Sequence, residues 1–351
     1  MSRKLIIPIF VPHEGCPVQC SFCDQRELTG VKGHLPSIDI QQAIATYLKP
    51  GQSHRHQTVE LAFYGGSFTM LPLSRQESLL VEADKVRRQG LIDGIRLSTR
   101  PDGIDSERLD LLERYGVSTV ELGVQSMDDA VLARNNRGHT AQATRDALIL
   151  LKSRGFRTGA QLMPGLPGDT ADTFLESVRK VISLVPDMAR IYPAVVLRNT
   201  EMETWYRAGS YQPLPLSDAV DLCAEALLMF RKAGIPVIRL GLQSTPDLKQ
   251  SFVAGPYHPA FRQLVESAIA RRMLAVAHTV SPDTGMPFLV HPRYLSTAQG
   301  QKKDNLFTFK MRYNYAPKLA VDCNVPYEAV RRGDLLVTPE NIQPSAFSLS
   351  I

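Results

Sequence analysis

The chain has no apolar run longer than five residues, of which Ala147 to Leu151 is one, whereas a membrane-spanning helix needs about 18 to 20. A helical membrane protein is therefore excluded. The first residues, Met1-Ser2-Arg3-Lys4, are basic, but only Leu5 to Ile7 follow before Pro8. That is too short for a signal-peptide core, and a cytoplasmic protein is expected. Cysteine is scarce, with 5 in 351 residues, and an odd, small number excludes a disulfide-built scaffold. Low-complexity segments and short repeats are missing too. With 44% hydrophobic and 21% charged residues, the composition excludes intrinsic disorder. The length suits two domains, or one large barrel with an appendage. Net charge is only +5, and residues 251–351 carry most of it, 11 Lys and Arg against 7 Asp and Glu. That permits a polyanionic partner without demanding one.

What is present is a repeated alternation of short β-branched runs and amphipathic helical stretches. Ile6 to Val11, Val59 to Tyr64, Ile95 to Thr99, Thr119 to Val124, Arg157 to Met163, Arg190 to Val196 and Pro236 to Leu242 read as strands. Between them Ile38 to Leu48, Arg75 to Gln89, Ser106 to Tyr115, Ala141 to Arg154, Ala171 to Leu184 and Asp218 to Lys232 read as helices. Six or seven βα units in series imply parallel strands with right-handed crossovers. The fold class expected is α/β, a partial (β/α)6 TIM-like barrel over residues 1–245. A small α+β module is expected over 246–351, with a linker at Gly255 to Pro259 and a helix over 260–274. In such a barrel the chemistry sits after the C-terminal ends of the strands. Gly65-Gly66-Ser67, Arg100-Pro101-Asp102, Gln125-Ser126, Pro164 to Gly168 and Tyr192-Pro193 all stand there. Each alone is ordinary turn chemistry; together on one rim they mark a site.

Three of the five cysteines, Cys16, Cys20 and Cys23, fall within eight residues in the loop after the first strand, spaced C-x3-C-x2-C. Three thiolates so close can ligate a soft metal. Zinc would want a fourth ligand, for which His13 and His34 are at hand. A [4Fe–4S] cluster prefers thiolates, and three of them leave one iron open to a non-protein ligand. Plain reduced thiols are the third reading. Cys223 lies among Leu222, Ala224 and Leu227 as a small core residue, and Cys323 reads as inert.

The cluster resembles the hallmark of the radical S-adenosylmethionine (SAM) superfamily, C-x3-C-x-aromatic-C, with Phe22 at the aromatic position. Gly65-Gly66-Ser67 is similar to the family's Gly-Gly turn. Val120 to Ser126 and Gly165-Leu166-Pro167 resemble motifs shared with oxygen-independent coproporphyrinogen oxidases. Thr99 to Asp102, Asn136 to Thr140, Gln161 to Pro164 and Arg190 to Val196 resemble the catalytic subunit of elongator, a tRNA wobble-uridine modifying enzyme. The resemblance spans roughly residues 10 to 215. It departs from that branch in three ways. No segment looks like an acetyltransferase domain, which puts acetyl-CoA-dependent chemistry in doubt. Ser98 stands where relatives usually have a Glu that binds the SAM ribose, and Gln161 stands where coproporphyrinogen oxidases have an Asp.

The resemblance implies an enzyme that uses a [4Fe–4S] cluster on Cys16, Cys20 and Cys23 to cleave SAM to a 5′-deoxyadenosyl radical. That radical abstracts hydrogen from an unidentified substrate, with RNA favoured. By the same match SAM lies against Phe22, Gly65, Gly66, Ser67, Arg100, Gln125 and Arg137. Arg100 or Arg137 is the fork for its carboxylate, each being otherwise a surface ion pair. His139 stands near the SAM side. Tyr192 is the candidate that faces the substrate. Glu121, in an apolar strand, requires a buried partner. A one-electron donor of the flavodoxin or ferredoxin type is implied as partner. The alternatives are a coproporphyrinogen oxidase-like enzyme of porphyrins or small molecules, and a non-catalytic iron–sulfur or haem-binding protein on the same fold. Lys302, Lys303, Lys310, Arg312, Lys318, Arg331 and Arg332 alternate with Phe307, Phe309, Tyr313, Tyr315 and Tyr327. This pattern suits RNA backbone and bases, or else an aromatic core with a cationic surface.

Overall fold

The computed structural model describes residues 3–11, 16–23, 39–48 and 57–342. The chain divides into two compact units, Met1–Pro213 with Ser244–Gly255, and Leu214–Gln243 with Pro256–Ile351.

The first unit is built on six parallel strands in sequence order: β1 (Arg3–Val11), β2 (Gln57–Gly65), β3 (Gly94–Thr99), β4 (Val117–Gln125), β5 (Arg157–Leu162) and β6 (Met188–Ile191). They form the curled half-barrel of an α/β fold. Its helices are α1 (Ile40–Tyr47), α2 (Leu73–Arg88), α3 (Ser106–Arg114), α4 (Asp129–Arg134), α5 (Ala141–Ser153), α6 (Ala171–Ser183) and α7 (Glu201–Arg207). Local chemistry accounts for them. In α6, Thr170 and Thr173 make a reciprocal capping box at the N-terminus, and Phe174, Leu175, Val178 and Val181 are buried along one stripe. In β1, Ile7, Ile9 and Val11 are buried whereas Phe10 is exposed, the period-two signature of a strand with one covered face.

The expected strand Arg190 to Val196 is two elements. Strand β6 ends at Ile191, and β7 (Val196–Leu197) pairs antiparallel with a later strand. Tyr192 and Ala194 still donate backbone hydrogen bonds to Leu162 and Pro164, 2.9 Å each, but Pro193 between them has no N–H to continue a ladder.

The second unit opens with α8 (Leu216–Lys232) and β8 (Val237–Leu240). The short α9 (Pro246–Ser251) and β9 (Phe252–Ala254), the partner of β7, belong to the first unit. Then come α10 (Phe261–Val280), β10 (Phe288–Val290), α11 (Leu295–Gln299), α12 (Asp304–Tyr313), β11 (Leu319–Val321), β12 (Val330–Arg332) and β13 (Leu335–Val337). The last four strands make a mixed sheet in the order β11-β10-β12-β13. The boundary drawn in the sequence at 245 therefore differs from this division. Helix α8 goes with the second unit because Asp221 and Glu225 on it pair with Arg271 and Arg272 of α10, at 3.2 and 2.5 Å. Helix α10 itself runs to Val280, six residues beyond the expected end. Among the described residues no helix is long and apolar enough to cross a membrane.

Candidate functional site

The loop after β1 carries the cysteines, and it is clamped rather than free. The buried Ser21 donates its hydroxyl to Asn135 Oδ1 at 2.7 Å and its backbone N–H to the Asn135 carbonyl at 3.2 Å. Asn135 in turn donates to the carbonyls of Val131 and Pro167. Phe22 packs on an apolar cluster that includes Leu166, Val196 and Met202. The three thiols are thereby fixed at one end of the half-barrel, Cys20 buried and Cys16 and Cys23 half-buried.

These cysteines line a cavity of about 670 Å³ together with Phe22, Gly65, Gly66, Ser67, Arg100, Gln125 and Arg137. A volume of this size lies in the range of small-molecule sites. The seven residues that the resemblance sets against SAM thus meet in one chamber, whereas His139 does not line it. Ser98, Glu121, Gly123, Gln161 and Asn199 are also among its lining. Tyr192 does not line it; its hydroxyl accepts a hydrogen bond from Arg190 Nη1 at 3.0 Å. His13 and His34, the ligands a zinc site would need, lie outside the described residues. Among the described residues no three His, Cys, Asp or Glu side chains are gathered tightly enough to hold one metal ion. A multi-iron cluster spreads its thiolate ligands over several irons, so it does not require such a gathering.

Backbone geometry opens the chamber. Gly65 has φ +105°, and a Cβ there would lie 2.7 Å from the Val11 carbonyl oxygen, so only glycine serves at this turn. The Gly66 N–H donates to that same oxygen at 2.8 Å. Gln125 has φ +66° although it bears a side chain, and it stands where the β4–β5 register slips. Such a strained residue at a bulge is a device for re-aiming a side chain. Here Gln125 Oε1 accepts from Gln161 Nε2 at 3.2 Å.

Neither arginine is a surface ion pair. Arg100 is 2% exposed and Arg137 6%. Arg100 forks onto Asp102 through Nε and Nη2, at 2.9 and 2.7 Å, and its Nη1 is buried with no hydrogen-bond partner. Arg137 donates through Nη1 to the Cys20 sulfur at 3.2 Å and through Nη2 to the Gly123 carbonyl at 2.6 Å, leaving Nε without one. Orphaned buried donors on charged groups are costly unless a ligand meets them. Cationic donors with spare capacity, a cradle that excludes Cβ and three thiols are what a thiolate-bound cluster with a carboxylate-bearing ligand would need. His139 is buried beside Arg137. Burial first, and that cation second, push its imidazole down to about 4, so it is neutral at physiological pH.

A second group of residues escaped the sequence reading. Glu121 receives the Tyr64 hydroxyl at 3.1 Å and Arg190 Nη2 at 3.0 Å, pairs with Arg190 Nε, and faces Arg96 Nη1 at 3.4 Å. Arg96 Nε meets Glu60 at 2.8 Å, and Glu60 also pairs with Lys4. The partner that Glu121 requires is therefore a network across β1, β2, β3, β4 and β6. Its signal in the sequence is period-two spacing along each strand. That signal gains meaning only once the register is known.

In the second unit the cation–aromatic pattern separates. Phe309 is buried, and Phe309, Tyr313 and Tyr315 surround His278 with ring centroids 4.3–5.3 Å away. Arg332 is also buried, its guanidinium 4.0 Å from the Phe288 ring centre. Phe307 and Tyr327 remain exposed, as do Lys302, Lys303, Lys310 and Arg312. Cys223 is fully buried, and burial pushes its thiol pKa up; Cys323 is exposed.

A parallel half-barrel with three clamped cysteines at the mouth of its chamber defines a class. The chain matches the profile of the Radical SAM superfamily over residues 10–181 and that of the Radical_SAM C-terminal domain over 186–271. It belongs to the radical SAM superfamily and is an enzyme of that kind. Within the superfamily it resembles the elongator branch. It is 28% identical over 266 residues to a tRNA uridine(34) acetyltransferase of Methanocaldococcus jannaschii, covering 64% of this chain and 49% of that protein. It is 30% identical over 196 residues to Elongator complex protein 3 of Homo sapiens, covering 50% of this chain and 36% of that protein. The chain thus spans about half or less of these relatives. The solved structure of the archaeal Elp3 of Methanocaldococcus infernus, with an N-terminal deletion, shares the fold. Its TM-score is 0.62 at 21% identity, covering 78% of this chain and 64% of that one.

Proposed function

We propose that this enzyme cleaves SAM reductively and abstracts hydrogen from an RNA substrate. The observation that carries the reading is the meeting of Cys16, Cys20 and Cys23 with the buried, partly unpartnered Arg100 and Arg137 around one cavity. Cys16, Cys20 and Cys23 would hold the [4Fe–4S] cluster. Phe22, Gly65, Gly66, Ser67, Arg100, Gln125 and Arg137 would hold SAM. When bound, cluster and SAM supply one-electron cleavage of the sulfonium and the radical that follows.

The chain's own residues do the rest. Arg137, donating to the Cys20 sulfur and to the Gly123 carbonyl, ties the cysteine loop to β4. The free Nη1 of Arg100 offers a charge-assisted hydrogen bond to a carboxylate. Gly65 makes the turn at the cavity wall that a Cβ would block against the Val11 carbonyl, and Gln161 and Gln125 brace one another on the same wall. A flavodoxin- or ferredoxin-type donor would supply the electron, and a cytoplasmic setting would keep the five thiols reduced. RNA is favoured because the relatives named above include a tRNA uridine(34) acetyltransferase and because Lys302, Lys303 and Lys310 stay exposed beside Phe307.

Anaerobic reconstitution with iron and sulfide, followed by dithionite and SAM, tests the reading. Formation of 5′-deoxyadenosine and methionine is expected. A protein loaded with four irons that yields neither would overturn it.

A further inference from the structure

One face of the half-barrel carries aromatic groups to which the cofactor chamber gives no task. In β1, Phe10 is 61% exposed between Ile9 and Val11, both at most 5% exposed, so it points to the opposite face from them. The register makes Phe10 the neighbour of Tyr64. Ala62, on the same face of β2, pairs with Arg96; Ser98, two residues on, pairs with Glu121; and Gln161 pairs with Arg190. Ser98, Glu121 and Gln161 all line the chamber. Phe10, Tyr64, Arg190 and Tyr192 therefore share the concave, chamber-side face.

That face is rigid where it needs to be. The Tyr64 hydroxyl donates to Glu121 and accepts from Arg190 Nη2 at 2.7 Å, and the Arg190 guanidinium carbon stands 5.1 Å from the Tyr64 ring centre. Burial, with the Glu121 charge second, raises the Tyr64 pKa and keeps its phenol neutral. Its ring is thus held in place by two charged groups, Glu121 and Arg190, before any ligand arrives. Arg190 also donates to the Tyr192 hydroxyl, which keeps its own proton to give. Phe10, one strand spacing of about 4.8 Å from Tyr64, adds apolar surface open to the lumen. A scattered exposed aromatic is unremarked on any protein surface. An exposed one beside a fixed phenol, an arginine and a hydroxyl donor, on the inner face of a barrel, has the make-up of a seat for a flat ring.

We infer that Phe10, Tyr64 and Arg190 form the substrate seat, and that the substrate presents to it a planar ring with hydrogen-bond acceptors at its edge. This inference rests on the proposed reading of an enzyme that acts on a substrate beside SAM, and adds the recognition chemistry. A nucleobase and an oxidised tetrapyrrole both carry such a ring.

Saturation-transfer NMR on the full chain, with neither SAM nor reductant, tests it. The probes are uridine, 5,6-dihydrouridine (the same polar edge on a puckered, saturated ring) and coproporphyrin III. Expected is transfer to the uridine base protons, at least fivefold weaker for dihydrouridine. Phe10→Ala, at an exposed position, should cut the uridine signal at least fivefold. Tyr64→Phe, which keeps the ring, should hold it within twofold, whereas Tyr64→Leu should not. Phe10-dependent binding of coproporphyrin alone would keep the flat-ring seat and move the substrate from RNA to tetrapyrroles. Equal transfer to uridine and dihydrouridine, or a Phe10→Ala protein that binds every probe as before, overturns the seat. Since no turnover is read, a failure of SAM cleavage and a failure of this seat are separate results.

Discussion

The half-barrel unit and the C-terminal unit both bury arginines, and they do so for different ends. Around the chamber, Arg96, Arg100, Arg137 and Arg190 meet carboxylates, a thiol and carbonyls, with donors left over on Arg100 and Arg137. In the C-terminal unit, Arg332 lies over the Phe288 ring and donates to the Tyr315 hydroxyl and the Asp283 carbonyl, within an aromatic core around His278. A buried cation packed on an aromatic ring belongs to a fold. Arg332 too keeps a buried Nε without a hydrogen-bond partner, so the spare donor is not the difference; Arg100 and Arg137 line a cavity, and buried cations on a cavity wall suit a ligand. Experiments that treat the two units alike should give unlike answers.

The largest contrast is in the cysteines. Replacing Cys16, Cys20 and Cys23 together by Ala should take iron content after reconstitution from four per chain to none and abolish 5′-deoxyadenosine formation. Cys223→Ala and Cys323→Ala should leave iron unchanged. A triple variant that kept its iron would end the comparison at once.

Next comes the network. Arg190→Met leaves the buried Glu121 with the Tyr64 hydroxyl and, at 3.4 Å, Arg96, and breaking a buried pair on one side costs about 3–5 kcal/mol. Urea unfolding should register that loss, while Lys310→Met, at an exposed site in the other unit, should stay within about 0.5 kcal/mol. Equal effects would deny that the network is buried and paired.

His139 gives a signed pH effect. Its folded pKa, about 4, lies below the ordinary 6.5. The unfolded chain therefore takes up a proton first as pH falls. The stability that neutral His139 contributes is full above 6.5 and is lost between 6.5 and 4, to a total of about 3 kcal/mol. Unfolding free energies of wild type and His139→Asn, compared at pH 8 and pH 4.5, should converge at the lower pH. Parallel profiles would place the imidazole in solvent.

Much of this was legible in the sequence, for identifiable reasons. Strands and helices followed from β-branched runs alternating with 3.6-period stripes. The chamber residues stood out because Gly65, Arg100 and Gln125 directly follow strands in a barrel pattern. The network was not legible: Tyr64, Arg96 and Arg190 look like ordinary strand residues until the register sets them side by side. Phe307 and Phe309 show the same limit. They are two residues apart in one cation–aromatic run, yet α12 turns Phe309 into the core and Phe307 to solvent. Alternation in sequence cannot tell them apart; the helical period can.

A charge-assisted hydrogen bond is worth about 1.5–3 kcal/mol, so Arg100→Met should weaken SAM binding about tenfold to a hundredfold, measured by equilibrium dialysis on reconstituted protein. Unchanged affinity would show that the free Nη1 has no ligand to meet.

The smallest effect is expected at Lys302 and Lys303, and it decides what the second unit adds. Both residues sit in left-handed backbone, φ 53° and 66°, just before α12. Asn305, buried and donating to the carbonyls of Ser267 and Ala298 at 2.9 and 3.1 Å, fixes the turn behind them. Their ammonium groups are thus presented from a held turn, close in sequence to exposed Phe307 and Lys310. If they meet phosphates, bulk tRNA should bind more weakly as salt rises, and each phosphate left without its cation should reduce the slope of log affinity against log salt by about 0.7–0.9. Lys302→Glu with Lys303→Glu should therefore flatten that slope by about 1.5 and weaken binding at low salt. The aromatic core around His278, which neither residue joins, should leave thermal unfolding unchanged, so the loss would be one of binding alone. An unaltered slope would return these lysines to plain surface charge and leave RNA recognition to the barrel.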